Sequence, residues 1–405
     1  MKTNGTVSQV GLDSHRKFST VTARDAGGKI VWRQRLEHGN RKVVRRALGE
    51  WPQGVPVILE ATFGWGWLSD ELKRAGLDPH LASSRKIAAW RDARGIAKSN
   101  RTDADLLSEL WSQKDRWWEV WLAPPEVRDQ RERMRFRMTL VRLQTGMKNR
   151  IHAILHRHGI VHELADLFGT AGRRMLQRLA LSGDERLSPT GQSTLKGYLQ
   201  LLDSVRRQIA KVTREVRTQV ERTPRGKRWC TLPGVGSILA HTILAEIGPI
   251  ERFRSFRHMA SYALLAPRAY DSGEERDEAP QGRHVGHIGR RTLKWAFIEG
   301  AHGAVRSGGR FRKIFDAYTD GGKKNRNRGY IVVGHELCRI GYAMERHETE
   351  YREEPPPRPG SSKTRGAHPH APSETRSAKT NRTRRISGNS RPGTGQPDVA
   401  MVVVG

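Results

Sequence analysis

A short apolar run in the first hundred residues limits how this chain can fold. The run is GVPVILEATFG, which has no polar side chain from Val55 to Leu59 and then reaches a carboxylate at Glu60. A strand-length run that is apolar at every position has to be covered on both faces, which is typical of a central strand in a sheet packed between helices. The sequence therefore predicts an α/β domain built around this strand.

The segments before and after this run predict the other elements of the same domain. The first is a short strand, VSQVGLD, that ends in a carboxylate at Asp13; two more strand-like segments, KFSTVTARD and KIVWRQRLE, are joined by a DAGG turn typical of a hairpin. Helical patterns follow at residues 67–75, at 84–93 and from about Asp103 to Leu110. Three strands, a helix and further β/α units follow the order of a ribonuclease H-like domain.

Charge indicates the kind of partner. The 405 residues include 73 Lys and Arg against 42 Asp and Glu, a formal net charge of +31. An excess of this size is expected of a protein that neutralises nucleic-acid phosphates, and it is uncommon for an enzyme of small molecules.

The two cysteines, Cys230 and Cys338, form no CxxC pair, which argues against a zinc finger or a disulfide framework. No apolar run approaches the roughly 18 residues of a membrane helix, so we expect no membrane association and a cytoplasmic, nucleoid-associated protein.

The chain changes character three times along its length. A helical, basic stretch from about Pro125 to Val220 predicts either two long amphipathic helices packed on each other or a coiled coil between protomers, and the sequence leaves both open. Beyond Arg352 apolar residues nearly vanish, which predicts a disordered basic tail. We predict an α/β plus all-α protein of four regions, which are 1–122 (α/β), 123–224 (helical linker), 225–350 (helical C-terminal domain) and 351–405 (tail).

Three carboxylates are candidates for a metal site. Asp13 and Glu60 end two strands that are neighbours in a ribonuclease H-like sheet, and Asp103 opens a helix beside them. Clustered carboxylates favour a hard divalent ion such as Mg²⁺ or Mn²⁺, and two such ions can stabilise the attacking and leaving oxygens of a phosphodiester. The alternatives are that Asp13 and Glu60 are solvated strand ends and that Asp103 caps its helix.

The same segments carry a family resemblance. VGLDSHRK, ILEATFGWGWLSDELKRAG and AKSNRTDADLLSELW resemble the N-terminal half of insertion-sequence family 110 transposases, which carry a RuvC-like DEDD domain. The family's third block is similar to K-x-D-x-x-D-A-x-x-L, which this chain matches at Lys98, Asp103, Ala104 and Leu107. Asn100 stands where that block has its first aspartate; its neutral carbonyl oxygen holds a metal more weakly than a carboxylate does. The resemblance implies metal ligands at Asp13, Glu60, Asn100 and Asp103.

A second segment resembles the C-terminal domain of the same family. In ALLAPRAYDSGEERDEAPQGRHVGHIGRRTLKWAFIEGAH an apolar segment leads to Ser272-Gly273 and then to a glycine-rich segment and a helix, with His287 where the family has lysine. The resemblance implies that Ser272 is a nucleophile that forms a covalent phosphoserine with DNA. Judged from its loop alone, Ser272 is an ordinary turn residue. The side chains available to neutralise a phosphate are Arg276, Arg283, His287, Arg290 and Arg291.

The activation of that serine requires help from another part of the protein. A serine hydroxyl needs a base or a metal, and its own loop offers neither. We therefore expect a composite site in which Ser272 meets the acidic set of its own chain or of another protomer.

Two further motifs allow a functional or a structural interpretation. CTLPGVGSILAHTILAEIG is similar to a helix-hairpin-helix, in which Gly234 and Gly236 let backbone N–H groups approach a phosphate; the alternative is a tight turn between packed helices. The tryptophans at 117, 118 and 121 stack on bases or, as we favour, pack a domain junction.

Together these features predict a DNA transposase, a site-specific recombinase of an insertion sequence that uses Mg²⁺ or Mn²⁺. The resemblance implies donor and target DNA as partners, an element-encoded guide RNA and a homo-oligomer, either a dimer or a tetramer. Two alternatives stay open. One is a RuvC-like nuclease that cuts by metal-activated water without Ser272, and the other is a non-catalytic basic nucleic-acid-binding protein.

Overall fold

A mixed sheet of six strands occupies the first part of the chain in the computed structural model, which describes residues 6–181, 185–266 and 289–353. The strands are β1 (Gln9–Ser14), β2 (Phe18–Arg24), β3 (Ile30–Glu37), β4 (Pro56–Glu60), β5 (Asp78–Ala82) and β6 (Glu119–Val120), in the order β3-β2-β1-β4-β5-β6. The pair β1/β2 is antiparallel, whereas β1/β4 and β4/β5 are parallel. The α/β prediction is confirmed, and β4 lies inside the sheet.

Four helices cover the two faces of this sheet, which are α1 (Arg41–Leu48), α2 (Trp65–Arg74), α3 (Ser84–Ala93) and α4 (Asn100–Glu109). Val57 and Leu59 of β4 share a core with residues of α1 and α2. Ile58, between them, packs with Ile87 of α3 and Leu107 of α4. Alternate residues of β4 therefore face two different cores, which explains why the run is apolar at every position.

Three helices form the basic middle of the chain, which are α5 (Pro125–Arg157), α6 (Thr170–Leu181) and α7 (Pro189–Glu221). Both long helices have proline in the first turn, where the missing N–H costs no intrahelical hydrogen bond. Met134 and Leu140 of α5 pack against Val212 and Val216 of α7. The prediction of two long packed helices is confirmed, while a coiled coil between protomers stays a prediction.

Six helices complete the described chain, which are α8 (Pro224–Cys230), α9 (Ser237–Ile247), α10 (Phe256–Tyr262), α11 (Arg291–Ser307), α12 (Gly309–Thr319) and α13 (Arg326–His347). They enclose a core in which the side chains of Trp229, Phe297 and Phe311 are fully buried. None of the helices in the described ranges is both long and apolar enough to cross a membrane. The predicted basic tail and most of the loop that carries Ser272 lie outside the described residues.

A buried histidine lies where α9 packs against α5. His241 of α9 is 3% exposed, and its Nε2 makes no hydrogen bond. Burial, and then the positive charge of Arg133, lowers the pKa of His241 from 6.5 to about 4, although a hydrogen bond with the backbone of Gln130 opposes the shift. The folded protein therefore excludes a proton that the unfolded chain accepts.

This histidine predicts a loss of stability in mild acid. The free energy of unfolding should be highest above pH 6.5 and fall as the pH drops toward about 4, because only the unfolded state gains the proton in that window. The loss attributable to His241 is about 3 kcal/mol, since each pKa unit is worth roughly 1.4 kcal/mol. Urea unfolding at several pH values checks this, with His241→Leu expected to flatten the profile and His347→Leu, at an exposed position, to leave it unchanged. An unchanged slope in His241→Leu would contradict the prediction.

Candidate functional site

Two of the predicted acidic residues lie side by side at one edge of the sheet. Strands β1 and β4 run parallel with Leu12 opposite Leu59, so Asp13 and Glu60 follow at the next position of each strand. Asp13 is 6% exposed, and Glu60 is partly exposed. The carboxyl ends of parallel strands therefore bring together two carboxylates that are distant in sequence.

Helix α4 brings the third carboxylate to the same place. A Cβ on Gly11 of β1 would lie 2.2 Å from the backbone nitrogen of Ser108 and 2.3 Å from the carbonyl oxygen of Ala104. The backbone of α4 thus lies directly on β1, a distance that only glycine permits. Asp13 is two residues after Gly11 and points to the same face, toward the first turn of α4, where Asp103 is buried.

The helix cap is made by residues other than Asp103. Ser99 is the N-cap: its hydroxyl accepts a hydrogen bond from the Thr102 backbone nitrogen at 3.1 Å, and the Thr102 side chain accepts one from the Ser99 backbone nitrogen at 2.9 Å. This reciprocal pair satisfies the end of the helix. Asp103 is therefore not the capping residue, although it lies in the first turn of α4, where a carboxylate suits the helix dipole.

Asp13 is repelled by the other two carboxylates. Burial is the main cause that raises the pKa of Asp13, and the negative charges of Asp103 and Glu60 raise it further, while His15 lowers it. His15 Nε2 lies 2.9 Å from Asp13 Oδ2, yet neither atom makes a well-aligned hydrogen bond. Asp103 Oδ1 accepts a hydrogen bond from Arg91 at 3.1 Å. A cation at this edge would relieve the repulsion and satisfy the buried oxygen of Asp13.

The donor atoms fit a hard divalent ion in type. All are oxygens, and Asn100, one turn before Asp103 on an exposed part of α4, adds an amide oxygen on the same side of the helix. Among the residues that the structure describes, no three His, Cys, Asp or Glu side chains converge as ligands around one point. Asp103 is paired with Arg91 and Asp13 with His15, so an ion would have to replace these contacts.

Asp105, the other acid in this block, faces the opposite way. Its carboxylate accepts hydrogen bonds from Thr22 at 2.7 Å and from Arg33 at 2.7 and 3.0 Å. Burial alone would raise the pKa of Asp105, but these bonds and the charges of Arg33 and Arg24 lower it. Asp105 therefore ties α4 to β2 and β3 and cannot replace Asn100 as a ligand.

Of the C-terminal candidates, only Arg290 and Arg291 belong to the described residues; Ser272, Arg276, Arg283 and His287 lie outside them. Arg290 donates a side-chain hydrogen bond to the Tyr262 hydroxyl at 2.9 Å, and its backbone nitrogen donates to the Tyr262 carbonyl at 2.8 Å. Arg291 is exposed at the start of α11. Tyr262 and Arg290 are thus held together on either side of the Ser272 segment, which comprises residues 267–288.

The two glycines of the Gly-Val-Gly turn have different surroundings. Gly234 has a φ of +78°, and a Cβ there would lie 2.1 Å from the Gly300 carbonyl oxygen of α11. Gly234 is therefore required by the close packing of the turn on α11. Gly236 is the N-cap of α9, and no heavy atom lies within 4 Å of its Cβ position. The alternative of a tight turn between packed helices explains why residue 234 is glycine, whereas a phosphate contact at Gly236 stays a prediction.

A cluster of arginines near the Ser272 segment was not predicted from the sequence. Arg131 and Arg290 approach the Glu246 carboxylate within 3.5 and 3.7 Å, and Arg252 donates to the Glu246 carbonyl at 3.2 Å. Burial lowers the pKa of both Arg131 and Arg252, with repulsion among the arginines adding to it. Trp121 stacks within 5.1 Å of the Arg131 guanidinium and 4.5 Å of the Arg252 guanidinium. This tryptophan packs a junction, as predicted. The Glu246 carboxylate lies near two of the guanidinium groups, those of Arg131 and Arg290, while Arg252 is held by backbone carbonyl oxygens.

Two family models match the chain in the order that the resemblance predicts. The model for the DEDD transposases of IS110 elements matches residues 10–160. The model described as the transposase IS116/IS110/IS902 family matches residues 226–316. The first match contains Asp13, Glu60 and Asp103, and the second contains Ser272 and Arg290.

Curated relatives extend the similarity to most of the chain. A probable family 20 transposase of Pseudomonas aeruginosa is 25% identical over 85% of this chain and 99% of the relative. The transposase for insertion sequence element IS1111A of Coxiella burnetii is 23% identical over 73% of this chain and 78% of the relative. A pilin gene-inverting protein of Moraxella bovis is 31% identical over 30% of this chain and 37% of the relative.

A chain with this mixed sheet and these two matches in this order is a transposase of an insertion element, a class of protein that cleaves and joins DNA. It belongs to the IS110 family. The resemblance stated from the sequence is thereby confirmed.

Proposed function

We propose that this transposase breaks and rejoins DNA with two cooperating groups: a divalent-metal site of Asp13, Glu60, Asp103 and Asn100, and Ser272 as nucleophile. The observation that carries the proposal is the acidic edge, where the carboxylates of Asp103 and Glu60 raise the pKa of the buried Asp13 although His15 and Arg91 pair with two of the three acids. Such an arrangement is unfavourable unless a cation binds there. A metal dependence also accords with the DEDD family match.

The topology supports a ribonuclease H-like, RuvC-like assignment of the first domain. The order β3-β2-β1-β4-β5, with β2 antiparallel to its neighbours, is the order expected of that fold. In open sheets with parallel strands, sites form at the carboxyl ends of the strands, which is where Asp13 and Glu60 lie. Three hydrophobic cores that lie mainly in residues 1–122, 123–224 and 225–350 support those regions as domains, with Val220 and Ile238 packing across the boundary between the last two.

The chemistry assigned to the chain is a transesterification. The Ser272 oxygen forms a bond to phosphorus and the bond from phosphorus to one sugar oxygen breaks. The serine proton passes to a base and the leaving sugar oxygen takes up a proton; rejoining reverses these changes on a new strand. A divalent ion, when bound, supplies Lewis-acid stabilisation of the charged phosphate. Arg290 and Arg291 add positive charge beside the Ser272 segment. The Moraxella relative is named for inverting a gene, and inversion requires rejoining as well as cutting.

The net charge and the family resemblance indicate the partners of the protein. The net charge of +31 suits donor and target DNA and, as the family resemblance implies, an element-encoded guide RNA that would select the sequence. A homo-oligomer would let Ser272 of one protomer meet the acidic edge of another. The nuclease and the non-catalytic binding protein remain the competing functions, and the next experiment separates them.

The test compares Ser272→Ala and Asp13→Asn with the wild type in a strand-exchange assay in cells. Both variants should lose recombination by roughly a thousandfold or more, as expected when a nucleophile or its activating group is removed. A covalent protein–DNA adduct should form with the wild type and be absent from Ser272→Ala. Cleavage that survives in Ser272→Ala would favour the nuclease, and binding without cleavage by the wild type would favour the non-catalytic protein.

Stability measurements provide the control for Asp13→Asn. Because burial and neighbouring carboxylates raise the pKa of Asp13, the neutral amide should leave the metal-free protein as stable as the wild type or more so. Mg²⁺ or Mn²⁺ should raise the melting temperature of the wild type and leave that of Asp13→Asn unchanged. Equal metal stabilisation of both proteins would refute the metal site.

A further inference from the structure

An exposed aromatic residue lies next to the acidic edge. Phe63 is 88% exposed, the largest exposed fraction among the large hydrophobic residues that the structure describes. It follows Glu60 by three positions, in the loop that joins β4 to α2. The neighbouring Trp65 and Trp67 pack against the N-terminal core, so the exposure is particular to Phe63.

The loop that carries Phe63 is held on both sides. The Ala61 backbone nitrogen donates to the Ala82 carbonyl of β5 at 2.8 Å, and the Thr62 nitrogen donates to the Glu60 carbonyl at 2.8 Å. Gly64 follows with a φ of +87° and is the N-cap of α2. These contacts fix the backbone of Phe63 at the same edge of the sheet as the Glu60 carboxylate, so its ring is presented outward by an ordered loop.

The surroundings of Phe63 suit a nucleic acid. Arg16 and Lys17 are exposed in the turn after β1, which lies at the same edge of the sheet because β1 and β4 are parallel. A nucleic-acid strand that approaches the three carboxylates therefore contacts both positively charged side chains and an exposed aromatic ring. Aromatic rings beside basic grooves bind unpaired bases by stacking, with little dependence on sequence.

We propose that Phe63 stacks on an unpaired nucleobase of a strand whose phosphates contact Arg16 and Lys17 beside the acidic edge, and so positions that strand. The inference rests on the proposed function in one respect, since it takes DNA to be the molecule that reaches this edge. It assigns Phe63 to strand binding and positioning, separate from the bond-breaking groups.

Fluorescence of 2-aminopurine tests the proposal with the full-length protein. The probe is a single-stranded oligothymidylate with one central 2-aminopurine, titrated in EDTA so that no metal chemistry contributes. Phe63→Ala and Phe63→Leu should each weaken binding about tenfold and lose the quenching of the probe, as expected from the loss of one base–aromatic stack. Phe63→Tyr and Phe63→Trp should retain both. Phe136→Ala, at a 48% exposed position on α5, is the matched control and should bind as the wild type does.

Two outcomes overturn the proposal. One is that Phe63→Leu quenches and binds the probe like the wild type, which would mean that stacking is not involved. The other is that Phe63→Ala binds DNA normally but dissociates a dimer of the wild type in sedimentation, which would make the ring a contact between copies of the chain. Binding of the probe does not depend on catalysis, because Asp13→Asn should bind the probe although it does not recombine DNA. If Ser272→Ala or Asp13→Asn still recombined DNA, the proposed function would be refuted and the role of Phe63 in binding would be unaffected.

Discussion

Replacing Gly11 with alanine should reduce the free energy of unfolding by about 3 kcal/mol, the upper end of the range for overpacking. The added methyl would lie 2.2 and 2.3 Å from backbone atoms of α4, and backbone cannot rotate away as a side chain can. Helix α4 would have to move off β1, taking Asp103 away from Asp13. We therefore expect recombination to be lost together with stability.

Gly39 supplies the control for this substitution. It lies in the same part of the chain, and no heavy atom is within 4 Å of its Cβ position, so Gly39→Ala should change stability and activity little. Urea unfolding followed by tryptophan fluorescence and strand exchange in cells measure the two effects. A Gly11→Ala protein with wild-type stability would show that α4 does not lie on β1 as described.

Replacing Glu246 with glutamine should cost about 3 kcal/mol of unfolding free energy, because it leaves buried positive charge without a counter-ion. The side chains of Arg131 and Glu246 are 5% and 3% exposed, so water cannot replace the lost carboxylate. Arg131 retains hydrogen bonds to the Ala245 and Glu246 carbonyl oxygens at 2.9 Å, which keeps the expected loss at the lower end for a broken buried pair.

An exposed ion pair provides the comparison for Glu246. Arg35 and Glu37 form a pair whose side chains are 60% and 64% exposed, so Glu37→Gln should leave stability nearly unchanged. The same unfolding assay measures both variants. Equal, small losses in the two would mean that Glu246 does not neutralise the arginine cluster, and the cluster would then need another anion.

The sequence predicted the elements that have a strong local pattern. The run from Val55 to Leu59 required coverage on both faces, and β4 has it. The carboxylates at the ends of β1 and β4 were predicted to be neighbours because these strand ends are adjacent in a ribonuclease H-like sheet, and the two strands do pair in parallel. Strand β5, DPHLA, was missed because proline and histidine interrupt its apolar pattern, and it is stabilised by pairing with β4 rather than by propensity.

The features that the sequence did not predict depend on contacts between distant parts of the chain. Arg131 and Arg290 are each tens of residues away from Glu246 in the sequence, and no spacing rule connects them. The roles of Asp103 and Asp105 differ because one faces β1 and the other faces Arg33, a distinction that needs the rotation of α4. Gly234 looked like a phosphate-binding glycine from its motif, and only the position of α11 gives it a packing role.

The hydrogen bonds between Tyr262 and Arg290 also bear on the length of the segment between them. They pin the chain where it leaves the scaffold after α10 and where it returns before α11. The entropy of closing a loop grows slowly, by about 0.6 kcal/mol for each doubling of its length. A change in the number of residues between these two points would therefore leave Tyr262 and Arg290 in contact, so α10 and α11 would keep their places.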